Sequence, residues 1–316
     1  MKNTIFCLII LIFANISLTA QINNKDNSSP RIGKDSIDEY ERYFDTLPSP
    51  IHISLDVGYG YDIASSKAIF GNFNNSGSWN LFLNVGNFKT KNFEYYEEST
   101  GLKHYFLAAL GLQFSNSTTK LSLSKPGDEK ITMSVFRTNP KIIVAQGFGS
   151  ENFKVVPYVA LPFFGFYTPN RIAYKNIPVN LNTDDRNFLN NYIDRVNFGC
   201  YRESGVMFHL NRIYNLYLSY ENLIAYPRLL MGKDIGMTFI DVMSWTLIYA
   251  GTINLLSPKV GTEFKPTLLT TVVNFVLQNA YMVTTQYLRR DNMNWPFSSS
   301  KSLMLQTFRL NFGYIL

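Results

Sequence analysis

Cysteine and histidine are nearly absent: 316 residues contain only Cys7 and Cys200, and only His52, His104 and His209. Cys7 falls inside an apolar N-terminal stretch rather than directly after it, so it offers no lipid-attachment site. Removal of that stretch leaves Cys200 alone, which excludes an intramolecular disulfide. With so few histidines, no pair of histidines or acids has metal-ligand spacing, and no glycine-rich phosphate loop is present. Charge is thin as well, at 16% of residues, and the 29 Lys and Arg against 23 Asp and Glu are scattered rather than clustered. A formal net charge of +6 spread in this way argues against nucleic-acid binding. A mean hydropathy of -0.05 excludes a bundle of membrane helices. A value near zero is what apolar and polar residues alternating through a barrel wall would give. What the chain has in quantity is aromatic: 25 Phe, 20 Tyr and 3 Trp suit strands more than helices.

The first 20 residues read as a secretory signal peptide. Lys2 supplies the positive start, Ile5 to Ile16 an apolar core too short to span a bilayer, and Ala20 a small residue before Gln21. Export without disulfides points to a bacterial envelope. Residues 21–50 are polar, with one amphipathic stretch from Asp38 to Leu47, and read as a periplasmic linker.

From Ile51 to Ile63, seven apolar residues alternate without error with His52, Ser54, Asp56, Gly58, Gly60 and Asp62. Thirteen residues are membrane length, since a tilted membrane strand needs about 9–11 and a globular one about 5–6. Further strands are predicted at Trp79–Lys89, Lys103–Ser115, Lys130–Thr138, Lys141–Gly149, Phe153–Thr168, Asp194–Leu210, Arg212–Leu223, Leu268–Leu288 and Ser302–Leu316, ten in all. Thr138-Asn139-Pro140, Ser150-Glu151-Asn152, Asn211-Arg212 and Asn72–Gly77 carry turn chemistry. Residues 228–256 alternate poorly. Ile235, Phe239, Val242, Met243 and Leu247 recur there at helical spacing, which predicts a helix on the membrane surface or inside the barrel. The alternatives are a spanning helix, since Asp241 is the only charge from Ile235 to Leu256, and two further strands, which give a count of twelve. With the first turn outside, Pro169–Tyr192 becomes a long segment on the periplasmic side, where turns are short.

The last strand places Phe308, Leu310, Phe312, Tyr314 and Leu316 on one face and Arg309, Asn311 and Gly313 on the other. This stretch resembles the C-terminal targeting strand of bacterial outer-membrane β-barrels, although the usual terminal aromatic stands two residues in, at Tyr314. The resemblance implies an antiparallel barrel in the outer membrane, with its lipid and the barrel-insertion machinery as partners. Trp79, Trp245, Trp295 and many Tyr residues then suit interfacial girdles.

Candidates for chemistry are few. Glu203, Ser204 and His209 share one strand and could supply acid, nucleophile and base. Ser204 and His209 are an odd number apart and face opposite sides of the wall, while Glu203 and His209 share a face at roughly 20 Å. No His-x-Ser-Asn stretch like that of barrel lipid deacylases and phospholipases is found. Asp184-Asp185 has the chemistry for Ca²⁺, but two adjacent acids in a polar loop usually remain solvated. No cofactor is implied. Arg202, Glu203, Glu221 and Arg228 are candidates for a charged ladder in the lumen, which either fills and locks it or forms a selectivity patch.

The sequence therefore predicts an all-β, antiparallel transmembrane barrel of about ten strands (8–12) over residues 51–316, with a helical insertion at 228–256. A non-enzymatic structural or binding role with a packed lumen comes first, a small channel second and a lipid-modifying enzyme third. A soluble periplasmic sandwich is the rival at the level of fold.

Overall fold

The computed structural model describes residues 51–316 apart from 70–71, 92–102, 124, 128, 151, 163–167, 194, 212, 258, 261–262 and 265–266. The expected signal peptide and polar linker lie outside the described residues. In chain order the elements are β1 (Ile51–Ser65), β2 (Ser76–Lys91), β3 (Lys103–Thr118), β4 (Thr132–Gly149), β5 (Phe153–Pro162), β6 (Asn170–Asn176), helix α1 (Thr183–Asn190), β7 (Val196–Leu210) and β8 (Tyr214–Tyr226). After β8 come helix α2 (Met231–Leu256), β9 (Lys259–Val260), β10 (Glu263–Phe264), helix α3 (Leu268–Asp291) and β11 (Leu303–Ile315). The β9–β10 pair is antiparallel and falls in a unit separate from the rest.

The remaining strands close on themselves. β1 pairs with β2 on one side and β11 on the other, and the ring continues through β3, β4, β5, β7 and β8 back to β11, antiparallel throughout. β5 and β6 together make one stave: β5 pairs with Lys141–Gly149 of β4, and β6 with Thr132–Arg137 of the same strand. The barrel thus has eight staves, not about ten.

Two corrections account for the difference. Lys130–Thr138 and Lys141–Gly149 belong to one strand, β4, and Thr138-Asn139-Pro140 is not a turn. The N–H of Thr138 bonds the Pro169 carbonyl, so the nitrogen of residue 140, two further on, faces the same neighbour. Between the pairs Arg137↔Asn170 and Lys141↔Pro162 no residue of β5 or β6 pairs with β4. Proline therefore sits where its missing N–H loses no ladder bond. The second correction is Leu268–Leu288, which is helical within α3. Its Thr and Val residues favour strand locally, but Thr271, Asn274, Gln278, Thr285 and Arg289 are buried at three- and four-residue spacing against other elements, and tertiary contact overrides propensity. The expected insertion at 228–256 is helix α2, and with α3 it makes a helical pair instead of a single helix. The predicted strand Phe153–Thr168 ends at Pro162, and the expected long segment Pro169–Tyr192 contains β6 and α1.

Merging the two halves of β4 also restores the asymmetry of the connections. One end carries the turns 150–152 and 211–213, the connection 92–102, and both barrel termini, where Ser54 pairs with Ile315. The other end carries the connections 66–75, 119–131, 177–195 and 227–302, the first of them no longer than 92–102.

Period-two patterning sets the two faces of the wall. Along β1, Ile53, Leu55, Val57 and Tyr59 are exposed while Ser54, Asp56 and Asp62 are buried. Along β11, Phe308, Leu310, Phe312, Tyr314 and Leu316 are each about half exposed or more, and Thr307, Arg309 and Asn311 are buried. An exterior that is apolar and an interior that is polar is the reverse of a soluble sandwich. Gly58 allows β1 and β11 to approach closely, since a Cβ there would lie 1.9 Å from Asn311 Oδ1 and 2.5 Å from the Leu310 carbonyl oxygen.

Candidate functional site: the barrel interior

The interior is stacked in three layers. At the long-connection end an apolar cluster plugs the barrel: Ile69 and Phe73 from the first connection, Met133 and Val135 from β4, and Leu189 and Tyr192 from α1 and the residues after it. Burial pushes the phenol of Tyr192 well above its ordinary value. At the other end Phe82, Leu107, Val156, Met207 and Tyr217 form a second apolar layer.

Between them lies an ionic network. Glu203 of β7 and Glu221 of β8 are directly paired across the strands, two like charges facing each other. Cations reaching across the lumen offset this. Arg137 Nη1 donates to Glu221 Oε1 at 2.6 Å, and its Nη2 lies 3.3 Å from Asp62 Oδ1. Arg309 of β11 pairs with the other oxygen of Glu221. Lys141 Nζ donates to Glu203 Oε2 at 2.6 Å and to Gln113 Oε1 at 3.0 Å, and sits 3.8 Å from the centroid of the Phe82 ring. The hydroxyl of Tyr158 donates to Glu203 Oε1 at 2.6 Å, and that of Tyr201 also donates to this carboxylate. Gln113 Nε2 reaches Glu221 Oε2 at 3.4 Å and joins the two halves. Asp56 accepts from Asn84 Nδ2 at 2.7 Å and from Ser54 Oγ at 3.3 Å. Arg137, Lys141, Arg309, Asp62, Glu203 and Glu221 are almost wholly buried, and such charges are tolerated only when paired and hydrogen-bonded.

Of the four residues expected in the lumen, Glu203 and Glu221 are at the centre of this network. Arg202 stands on the opposite face of β7 and pairs with Asp241 of α2. Arg228 follows β8, is exposed, and its Nη2 lies 3.4 Å from Ser300 Oγ. Arg137 and Lys141 were hidden by the misread turn at 138–140, whereas Asp56, Asp62 and Arg309 occupy the polar positions of strands whose alternation was plain. The three residues considered for catalysis are not brought together: Ser204 faces outward, Glu203 lies in the ionic layer, and His209 Nδ1 is 2.8 Å from Asn215 Oδ1 near the short-turn end. Asp184 and Asp185 form the first turn of α1, where Asn182 Oδ1 accepts from the Asp185 N–H at 2.7 Å. Among the described residues no group of three His, Cys, Asp or Glu side chains is placed to hold a metal ion.

Aromatic residues ring the outer wall at two heights. Tyr59, Tyr61, Trp79, Tyr220 and Phe308 lie toward the long connections, and Tyr214, Phe312 and Tyr314 toward the short turns. Trp245 belongs to α2, and Trp295 follows α3.

Neither a family model nor a curated protein sequence matches the chain. Among solved structures, the chain is similar to Neisserial surface protein A (NspA) at 7% identity, covering 83% of this chain and 96% of that one with a TM-score of 0.34. It is also similar to Ail, the attachment invasion locus protein of Yersinia pestis, crystallised with the heparin analogue sucrose octasulfate. There the identity is 8%, the coverage 84% and 99%, and the TM-score 0.31.

Proposed function

We propose that the protein is a non-enzymatic outer-membrane β-barrel with a structural or binding role and a closed lumen. The observation that carries this reading is the Glu203–Glu221 ionic layer, compensated by Arg137, Lys141 and Arg309 and covered on both sides by apolar side chains. A selectivity patch needs charges that face water, and these face one another. Eight staves also give a lumen that side chains fill, and an aqueous channel belongs to larger barrels. The two tight turns 150–152 and 211–213 on one side and the long segments 119–131, 177–195 and 227–302 on the other support an orientation with the tight turns in the periplasm and the long segments outside the cell. The half-exposed apolar face of β11 is the surface that the insertion machinery would read and that outer-membrane lipid would then cover.

Cell fractionation with a mobility gel on unheated and boiled outer-membrane fractions tests the reading, followed by conductance in planar bilayers. The protein is expected to sediment with the outer membrane, to shift on boiling, and to give no steady conductance. Recovery from the soluble periplasm without a shift overturns the barrel in the membrane, and a steady ohmic conductance overturns the closed lumen in favour of a channel.

A further inference from the structure

Helices α2 and α3 pack on the outside of the barrel. Their polar contacts are with outward-facing residues of the wall: Arg202 with Asp241, Gln146 with Tyr249, and Cys200 with Gln286 and Arg289. They lie over β4, β5, β7 and β8.

The burial pattern of the pair is inverted relative to a helical hairpin in water. On α2, Ile235, Phe239, Met243 and Leu247 form an exposed stripe at four-residue spacing, while Asp241 and Thr252 are buried. On α3, Leu269, Val272, Val276 and Val283 are exposed, while Asn274, Gln278, Gln286 and Arg289 are buried. A surface helix in water turns its apolar stripe inward. A helix in hydrocarbon does the opposite and joins its polar groups to one another. Here the join is complete at its most costly point. Asp241 is held between Arg202 and Arg289, whose Nη2 donates at 2.7 Å, and accepts from the Tyr281 hydroxyl at 3.0 Å. It is also the only charge from Ile235 to Leu256, and α3 has none from Leu268 to Leu288.

Length and position agree with this. α2 has 26 residues and α3 has 24, or about 39 and 36 Å at 1.5 Å per residue, against a hydrocarbon core of about 30 Å. Along α2, Asp241 meets Arg202 in the half of β7 nearer the long connections. Eight residues later the Tyr249 hydroxyl accepts from Gln146 Nε2 at 2.6 Å, only three residues before β4 ends at the short turn. The helix thus descends most of the height of the wall, beside the same exposed apolar belt that Leu218 and Leu310 continue on the barrel.

We infer that α2 and α3 cross the outer membrane as a helical hairpin clamped to the barrel wall by a polar seam centred on Asp241, with lipid hydrocarbon covering their outer stripes. The inference rests on the outer-membrane reading above. The hairpin places the C-terminal end of α2 and the N-terminal end of α3 toward the periplasmic side of the wall.

Single-cysteine variants of the full chain in whole cells test this with a membrane-impermeant thiol reagent, the parent chain with its buried Cys200 setting the background. Val179→Cys at the long-connection end is expected to label in intact cells, and Asn152→Cys at a short turn only after permeabilisation. If these two fail to separate, the underlying reading of the barrel is wrong. If they separate, Asn254→Cys near the lower end of α2 decides the hairpin: background labelling in intact cells, rising on permeabilisation to the level of Asn152→Cys, is expected. Labelling in intact cells like that of Val179→Cys overturns the proposal. For the outer stripe, a fluorophore on Phe239→Cys in vesicles is expected to be quenched by lipids carrying nitroxides in mid-chain. Its failure to be quenched means that a second copy or another protein covers the stripe, and overturns lipid as the occupant.

Discussion

Glu221 illustrates how this lumen is held at the level of single residues. It faces Glu203 across one rung of the sheet, and its two oxygens are taken by Arg137 and Arg309. Removing the charge leaves two guanidinium groups buried with one counter-ion fewer, and breaking a buried pair from one side costs about 3–5 kcal/mol. Glu221→Gln is therefore expected to lose stability on that scale in urea titrations of the protein in lipid vesicles. Replacement of an exposed acid such as Glu129 should stay within about 0.5 kcal/mol. A Glu221→Gln variant as stable as the parent would mean that the network fills space without holding the wall.

Element boundaries are decided by hydrogen-bond direction as much as by composition. Pro140 is accommodated inside β4 because its nitrogen faces the gap in the neighbouring stave. Ile142 presents its N–H to the same side, where Leu161 is its partner. Pro140→Ala is accordingly expected to be near neutral, within about 0.5 kcal/mol. Ile142→Pro removes a ladder bond in the middle of a closed sheet and is expected to lower the temperature at which the gel mobility changes, by clearly more than Pro140→Ala. Equal effects of the two substitutions would show that the break between β5 and β6 is not what admits the proline.

At the scale of the molecule, closure depends on three interior layers rather than on one plug. Shortening 177–195 to a simple turn removes Leu189 and Tyr192 from the upper apolar cluster but leaves the Glu203–Glu221 layer and the cluster around Phe82 in place. Such a variant is expected to be less stable yet to remain silent in planar bilayers. A steady conductance from it would locate the seal in the upper plug alone.

Alternation along β1 and β11 was enough to determine the class of the fold and to separate the apolar from the polar face of each of these strands, because a period of two is a local property of the backbone. The same period separates Ser204 from His209 along their strand, whereas the inner placement of Glu203 and Glu221 is decided by the closed barrel. The number of staves was not legible, since the nitrogen of Pro140 could be recognised as harmless only once the pairing of β4 with β5 and β6 was known to lapse opposite it. Nor could α3 be read from Leu268–Leu288, whose β-branched residues favour strand until a barrel wall offers their polar face something to bond. Arg202, next to Glu203 in β7, faces outward by the same alternation, and what only the tertiary structure supplies is its partner Asp241 from α2. Partners distant in the chain decide each of these, and only the closed tertiary structure brings them together.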